Sequence, residues 1–264
     1  MIKKGWFEKI KLRIFTLIVK YKSKNTYPET LEVSLENLLG KQRKLKVAII
    51  DDESFPWVDA LESRGAKVTH FNDYCKPTTQ VNQKTKIIDF SSFDIIICDV
   101  RGVGSTIYPD LDGVGVMEDL RNKYLFHVII AYTGNPGAIS SKLKKNDCLD
   151  MIFVKDWALE DFLLNYDKLA EVFKYPAARW KFIRKRLSHL DIGEKEIEMF
   201  RRSFVEDVLL INMLREKFKW SPEQTKELIL KSSKRDIVEC DTLVKFGLTG
   251  LQITKILMPF LGGK

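Results

Sequence analysis

Five polar residues stand where apolar runs of the chain stop, and their types could do chemistry together: Asp51, Asp52, Asp99, Thr133 and Lys155. Ile95, Ile96 and Ile97 lead through Cys98 to Asp99 without polar alternation, the pattern of a strand buried on both faces of a parallel sheet. Asp51 and Asp52 follow Val47-Ala48-Ile49-Ile50, Thr133 follows Val128-Ile129-Ile130-Ala131-Tyr132, and Lys155 follows Met151-Ile152-Phe153-Val154. Parallel sheets present their chemistry at the carboxyl ends of the strands. Alone, Asp99 reads as a strand-terminating turn residue and Lys155 as an exposed strand-end lysine. Three carboxylates at one rim instead make a hard, oxygen-only site suited to Mg2+. Left uncompensated they repel one another, which gives Lys155 a reason to face them.

The elements that must position these residues alternate strand and helix from Leu45 onward. The pattern predicts a first strand from Lys46 to the two acids, a helix from Phe55 to Ser63 stopped by Gly65, and a second strand over Lys67 to Phe71. After the Asp99 strand come a Gly-rich loop and a helix from Gly113 to Lys123, then strands over His127 to Thr133 and Met151 to Lys155. A closing helix from Leu159 to Val172 turns Phe162, Leu163, Leu169 and Val172 inward at helical spacing. This order implies right-handed crossovers and an α/β fold with a doubly wound, five-stranded parallel sheet.

Over about residues 45–175 the chain resembles the receiver domain of two-component response regulators, a flavodoxin-like fold. The resemblance rests on Ile-Ile-Asp51-Asp52-Glu53, Ile-Ile-Ile-Cys-Asp99-Val, Asp112-Gly113 with Leu120-Arg121, Ala-Tyr-Thr133-Gly134, and Phe-Val-Lys155. It implies that Asp99 accepts a phosphoryl group, as a carboxylate can when a metal and a cation offset the incoming charge. By the same resemblance Asp52 ligates Mg2+ directly, Asp51 assists through water, and the backbone carbonyl of Arg101 adds a ligand. Lys155 then pairs with the phosphoryl oxygens, and Thr133 gives them its hydroxyl as the family's switch. The partners implied are a histidine kinase or a small phosphodonor.

Three departures bear on that reading. Asp112 lies thirteen positions after Asp99, several more than the family's usual spacing, and the extra residues from Arg101 to Tyr108 lie over the site as a lid or as a block to a kinase. Asp156 follows Lys155 where the family has proline, and Ile152, with Phe153 beside it, takes the place of the usual aromatic switch residue. Haloacid-dehalogenase-type phosphatases use a similar residue set, but their nucleophile lies on the first strand with an acid two residues beyond. Here the acidic pair comes first, and Arg101 stands two beyond Asp99. An arginine serves as neither acid nor base near neutral pH, so the expectation is a slowly hydrolysing phospho-acceptor rather than a turnover enzyme. The other function weighed is a scaffold or binding protein whose receiver fold is constitutive.

The chain of 264 residues is 45% hydrophobic, enough for one or two domains. Cys75, Cys98, Cys148 and Cys240 are far apart, as are His70, His127 and His189, so neither a zinc site nor a disulfide framework is indicated and a reduced cytoplasm is expected. Charge divides the sequence into three. Residues 1–46 carry twelve Lys/Arg against four Glu, residues 47–175 fourteen basic against twenty acidic, and residues 177–264 eighteen against twelve. The expected domains are a basic, helical extension over 1–44, the receiver-like domain over 45–175, and an all-helical output or interaction domain over 176–264.

In the first of these, Phe7, Ile10, Ile14, Leu17 and Tyr21 recur at helical spacing. The apolar stretch is far too short to span a bilayer, and no small-residue cleavage site follows it. Contact of residues 1–25 with a membrane surface or partner is one reading, and packing on the protein's own body or a second subunit is the other. Leu31, Leu35, Leu38 and Leu39 suggest a short helix ending at Gly40, with an exposed connector over 41–44. Beyond Pro176, Ile197, Phe200, Phe204, Val208, Ile211, Leu214 and Phe218 make a helical stripe, and Ser221-Pro222-Glu223-Gln224 is a capping box. A second cap is predicted at Thr249 to Gln252. Arg179, Lys181, Arg184, Lys185 and Arg186 form a basic run that either touches nucleic-acid phosphates or is a solvated face. An all-helical interaction or dimerisation module, giving a homodimer, is the preferred reading of this segment.

Overall fold

Runs of Ile and Val with no polar face can be satisfied only where both sides are covered. The computed structural model describes residues 14–39, 44–72, 88–142, 148–190, 192–219 and 221. In chain order the elements are helix α1 (residues 14–23), a tight helical turn Pro28–Thr30, α2 (Leu35–Leu39), β1 (Lys46–Ile50), α3 (Val58–Ser63), β2 (Lys67–Phe71), β3 (Ile95–Asp99) and α4 (Gly113–Lys123). There follow β4 (Val128–Thr133), α5 (Pro136–Lys142), β5 (Met151–Val154), α6 (Leu159–Ala170), a turn Glu171–Phe173, α7 (Pro176–Ser188) and α8 (Glu194–Phe218). No described helix is long and apolar enough to cross a membrane. Residues 41–43 of the predicted connector over 41–44, residues 222–224 of the capping box and the cap at Thr249 to Gln252 lie outside the described residues, as do Phe7, Ile10, Cys75 and Cys240.

The described residues between Lys44 and Ala170 form one compact unit. Its sheet has five parallel strands in the order β2-β1-β3-β4-β5. Every residue of β3 and β4 is buried, as their unbroken apolar sequences require. One face packs on Val114, Val116, Met117 and Leu120 of α4, and Phe90, Phe93 and Tyr124 extend that core. On α6, Phe162 packs edge-on against Phe153 with ring centroids 5.0 Å apart.

Differences from the expected elements are local. The helix expected from Phe55 begins at Val58, because Phe55 instead inserts into the core and packs on Tyr132 at 4.9 Å. On α6, Phe162, Tyr166 and Leu169 are buried while Leu163 stays half-exposed, so the inward face is rotated from the one expected, and Val172, also half-exposed, lies in the turn after a helix that ends at Ala170. Helix α5 is seven residues long, too short for periodicity to reveal.

Arg121 of α4 clamps three segments together. It donates to the carbonyls of Leu125 and His127, each at 2.8 Å, and to that of Cys148 at 3.1 Å. Its buried ion pair with Asp150, 2.6 Å long, brings in the start of β5, and Asp150 also accepts the Ile129 N–H at 2.8 Å.

The described residues before Arg43 and those from Glu171 onward form a second compact unit. The Ser23 hydroxyl donates to Glu206 at 3.1 Å, and Arg201 donates to the Thr26 carbonyl at 2.5 Å while its guanidinium covers the Tyr27 ring. The Leu35 N–H donates to the Lys174 carbonyl at 2.8 Å, and Trp180 packs on Phe204 at 5.7 Å. The ion pair with Arg201, joined by Arg202, pulls the Glu198 carboxyl down to about 2.

Two expectations are corrected here. Arg179 and Arg186 of the basic run are buried, their guanidinium groups lying over Phe182 at 5.4 and 5.6 Å, so neither is available to phosphate; Lys181, Arg184 and Lys185 remain exposed. Of the two readings of the α1 row, packing of Ile14, Leu17 and Tyr21 on the protein's own body is not what the structure has: these three are exposed, and Val19 and Ser23 are what the unit covers. The α8 stripe does bury Ile197, Phe204, Val208, Ile211 and Leu214, together with Arg201, Val205, Asp207 and Leu210, while Phe200 is half-exposed.

Two tests follow from this packing. Removing one partner of a buried ion pair leaves the other charge stranded, so Asp150→Ala is expected to cost about 3 kcal/mol in urea unfolding. Burial, with the charge of Glu206, pushes the Asp207 carboxyl well above the usual carboxylate range. Its stabilising contribution is therefore complete below the ordinary pKa of about 3.9 and is lost as pH rises through the native value. Asp207→Asn should match wild type near about pH 4 and become the more stable chain toward about pH 8; parallel stability profiles would contradict this.

Candidate functional site

The strand register brings the polar ends of the apolar runs to one edge. Ile50 pairs with Cys98, so Asp51 and Asp99 leave adjacent strands at neighbouring positions; Asp99 pairs with Tyr132, and Thr133 with Val154. Asp51, Asp52 and Asp99 each offer a carboxylate oxygen, and these oxygens lie within 4.8 Å of one another. Asp51 and Asp99 are buried while Asp52 is exposed, so the cluster opens to solvent through Asp52. Such a donor set, all oxygen and all anionic, fits a hard divalent cation.

Each carboxylate is held in place. One Asp99 oxygen accepts the Val100 N–H at 2.7 Å, and the other accepts from the Lys155 ammonium at 2.9 Å. Asp51 accepts the Glu53 N–H at 2.9 Å, and its own carbonyl lies 2.9 Å from the His70 imidazole Nε2. Burial pushes the Asp51 carboxyl up; the Glu53 N–H pulls against that, and the Asp99 charge adds to it. For Lys155, burial acts downward but is outweighed by the hydrogen bond and charge of Asp99, helped by Asp51, so its pKa is raised. The Lys155 ammonium also lies 5.2 Å from the Tyr132 ring centroid, a cation–π contact that aims it along the sheet edge. The Thr133 hydroxyl oxygen accepts the Asn135 N–H at 3.1 Å, and the Lys155 N–H donates to the Thr133 carbonyl at 2.9 Å, tying the last two strands at the rim.

Two glycines let backbone approach this cluster. A Cβ on Gly113 would stand 1.9 Å from the Asp99 carbonyl oxygen, so α4 can start where it does only with glycine there. Gly102 has φ +79°, and a Cβ on it would come within 2.6 Å of the Asp52 carboxylate. The extra residues after Asp99 therefore lean on the acidic cluster and are anchored below it. Val103 is buried, Tyr108 packs against Gly115, and the Tyr108 hydroxyl donates to Asp119. Arg101 is exposed beside Asp99.

All five residues expected from the strand ends thus share one edge. Sequence reading assigned no supporting role to His70, Tyr132 or Gly102, which hold or admit the others; Gly113 stood in the Asp112-Gly113 motif, but its close approach to Asp99 did not show there.

No protein-family model matches the sequence, and no curated protein matches it. Among solved structures, the chain is similar to a CheY-like response regulator receiver domain protein from Methanospirillum hungatei, with 19% identity over 48% of this chain and 95% of that one and a TM-score of 0.36. The chemotaxis response regulator CheY4 of Vibrio cholerae matches with 19% identity over 48% of this chain and 98% of its own, at a TM-score of 0.33. The response regulator RcsB of Salmonella typhimurium matches with 16% identity over 84% of this chain and 94% of its own, at a TM-score of 0.37. Strand order and the register of the rim residues are what make the case: over about residues 45–175 the chain resembles a response-regulator receiver domain.

Proposed function

We propose that the protein is a phosphorylation-responsive regulator in which Asp99 accepts a phosphoryl group and thereby controls the helical residues from 176 onward. The observation that supports this most is the ion pair of Lys155 with Asp99 beside two further carboxylates at the open edge of a parallel sheet. Asp52 and Asp99 would hold Mg2+, with Asp51 assisting through water and the Arg101 backbone carbonyl adding a ligand, as the family resemblance implies. A bound Mg2+ supplies charge neutralisation for the phosphoryl oxygens. The Val100 N–H fixes one Asp99 oxygen, leaving the Lys155-facing oxygen as the one that forms the new O–P bond while the donor's bond to phosphorus breaks, N–P in a phosphohistidine or O–P in an acyl phosphate, and the freed imidazole or carboxylate keeps the bonding pair. Lys155 then follows the negative charge onto the phosphoryl group, and the Thr133 hydroxyl, which can still donate while its oxygen accepts from Asn135, reports its arrival. The phosphodonor would be a histidine kinase or a small acyl phosphate, and the setting the cytoplasm.

Acetyl phosphate with Mg2+ tests this directly. Intact mass should show one added phosphoryl group on wild type and none on Asp99→Asn or without the metal. Wild type that gains nothing would favour a constitutive scaffold instead. Mg2+ itself should raise the melting temperature, because a ligand of the folded state alone adds about 2.7 kcal/mol at a hundredfold excess over Kd. Asp52→Asn is expected to lose most of that gain, and the gain should fade toward about pH 4 as carboxylates protonate.

A further inference from the structure

Helix α1 presents Ile14, Leu17, Ile18 and Tyr21 to solvent with relative exposures of 51, 68, 37 and 75%. At about 100° per residue these positions fall in one row along the helix. Its opposite face, Val19 and Ser23, is the face buried in the helical unit. Lys20 and Lys22, both exposed, project from the two flanks of the row. Between Glu8 and Glu29 the sequence has Lys9, Lys11, Arg13, Lys20, Lys22 and Lys24 and no acidic residue.

We propose that this face of α1 docks on an anionic lipid surface, with Ile14, Leu17, Ile18 and Tyr21 entering the headgroup and acyl boundary and the flanking lysines meeting lipid phosphates. The charge pattern selects the occupant. A second copy of α1 would set one all-cationic segment against another, which is repulsive. An anionic bilayer complements both features at once: it accepts aliphatic side chains and a tyrosine without a matching pocket, and its surface potential attracts each lysine. Lysine stems reach from the flanks of such a row to the phosphates. The anchoring face is already folded and exposed, so binding need not unpack Val19 or Ser23.

Cosedimentation of the full chain with vesicles tests the proposal. Vesicles of phosphatidylcholine containing about 30% phosphatidylserine should retain the chain roughly tenfold better than phosphatidylcholine alone, and less well as salt rises. Leu17→Ser with Tyr21→Ser, both at exposed positions, should reduce partitioning roughly tenfold with an unchanged melting temperature. Lys20→Glu with Lys22→Glu should abolish the preference for phosphatidylserine. Wild type that ignores both vesicle types, or a Leu17/Tyr21 variant that binds as well as wild type, overturns the proposal. So does a wild-type dimer in light scattering that the Leu17/Tyr21 variant converts to monomer without any vesicle binding, since the row would then belong to a second copy.

Discussion

Mutual repulsion of Asp51, Asp52 and Asp99 is the constraint around which the receiver-like unit is built. Three carboxylates within 4.8 Å are unfavourable unless cations or N–H donors meet them. The fold answers with the Lys155 ammonium and with backbone N–H groups from Val100 and Glu53. These partners come from three different strand ends, so the cluster exists only while β1, β3 and β5 keep their places in the sheet. Stability of the sheet and chemistry at its edge are therefore one problem. The Arg121 clamp matters to the site for the same reason, because it fixes where β5, and hence Lys155, begins.

The same economy shapes the segment after Asp99. Its added length does not hang free: Val103 and Tyr108 pack into or against the unit, and Gly102 comes down on Asp52 without a side chain. The segment is thus held by buried or packed residues and comes down beside Asp52, which itself stays exposed to solvent.

In the helical unit, charge is sorted between inside and outside. Arg179, Arg186 and Arg201 turn inward onto aromatic rings, a use that suits the weakly hydrated guanidinium. The lysines stay out. The run from Arg179 to Arg186 thus divides once folded, its first and last arginines inward and Lys181, Arg184 and Lys185 outward, and what is left on the surface of α1 is a lysine-flanked apolar row.

The sequence by itself determined the strands and their ends, because a run such as Ile95-Ile96-Ile97 has one way to be buried and a carboxylate that follows it must lie at the sheet edge, where cations and N–H groups can meet its charge. The sheet, its parallel sense and the five rim residues were legible for that reason, and the α8 stripe was legible from its period. Tertiary structure alone decided which faces were covered. The rotated inward face of α6, the burial of Arg179 and Arg186 and the exposure of Ile14, Leu17 and Tyr21 all depend on neighbours distant in sequence. It also decided the supports of the site: nothing local marks His70 as a partner of the Asp51 carbonyl or Gly102 as the residue above Asp52. Periodicity records that a residue is apolar or charged, whereas which surface it meets is a property of the packed chain.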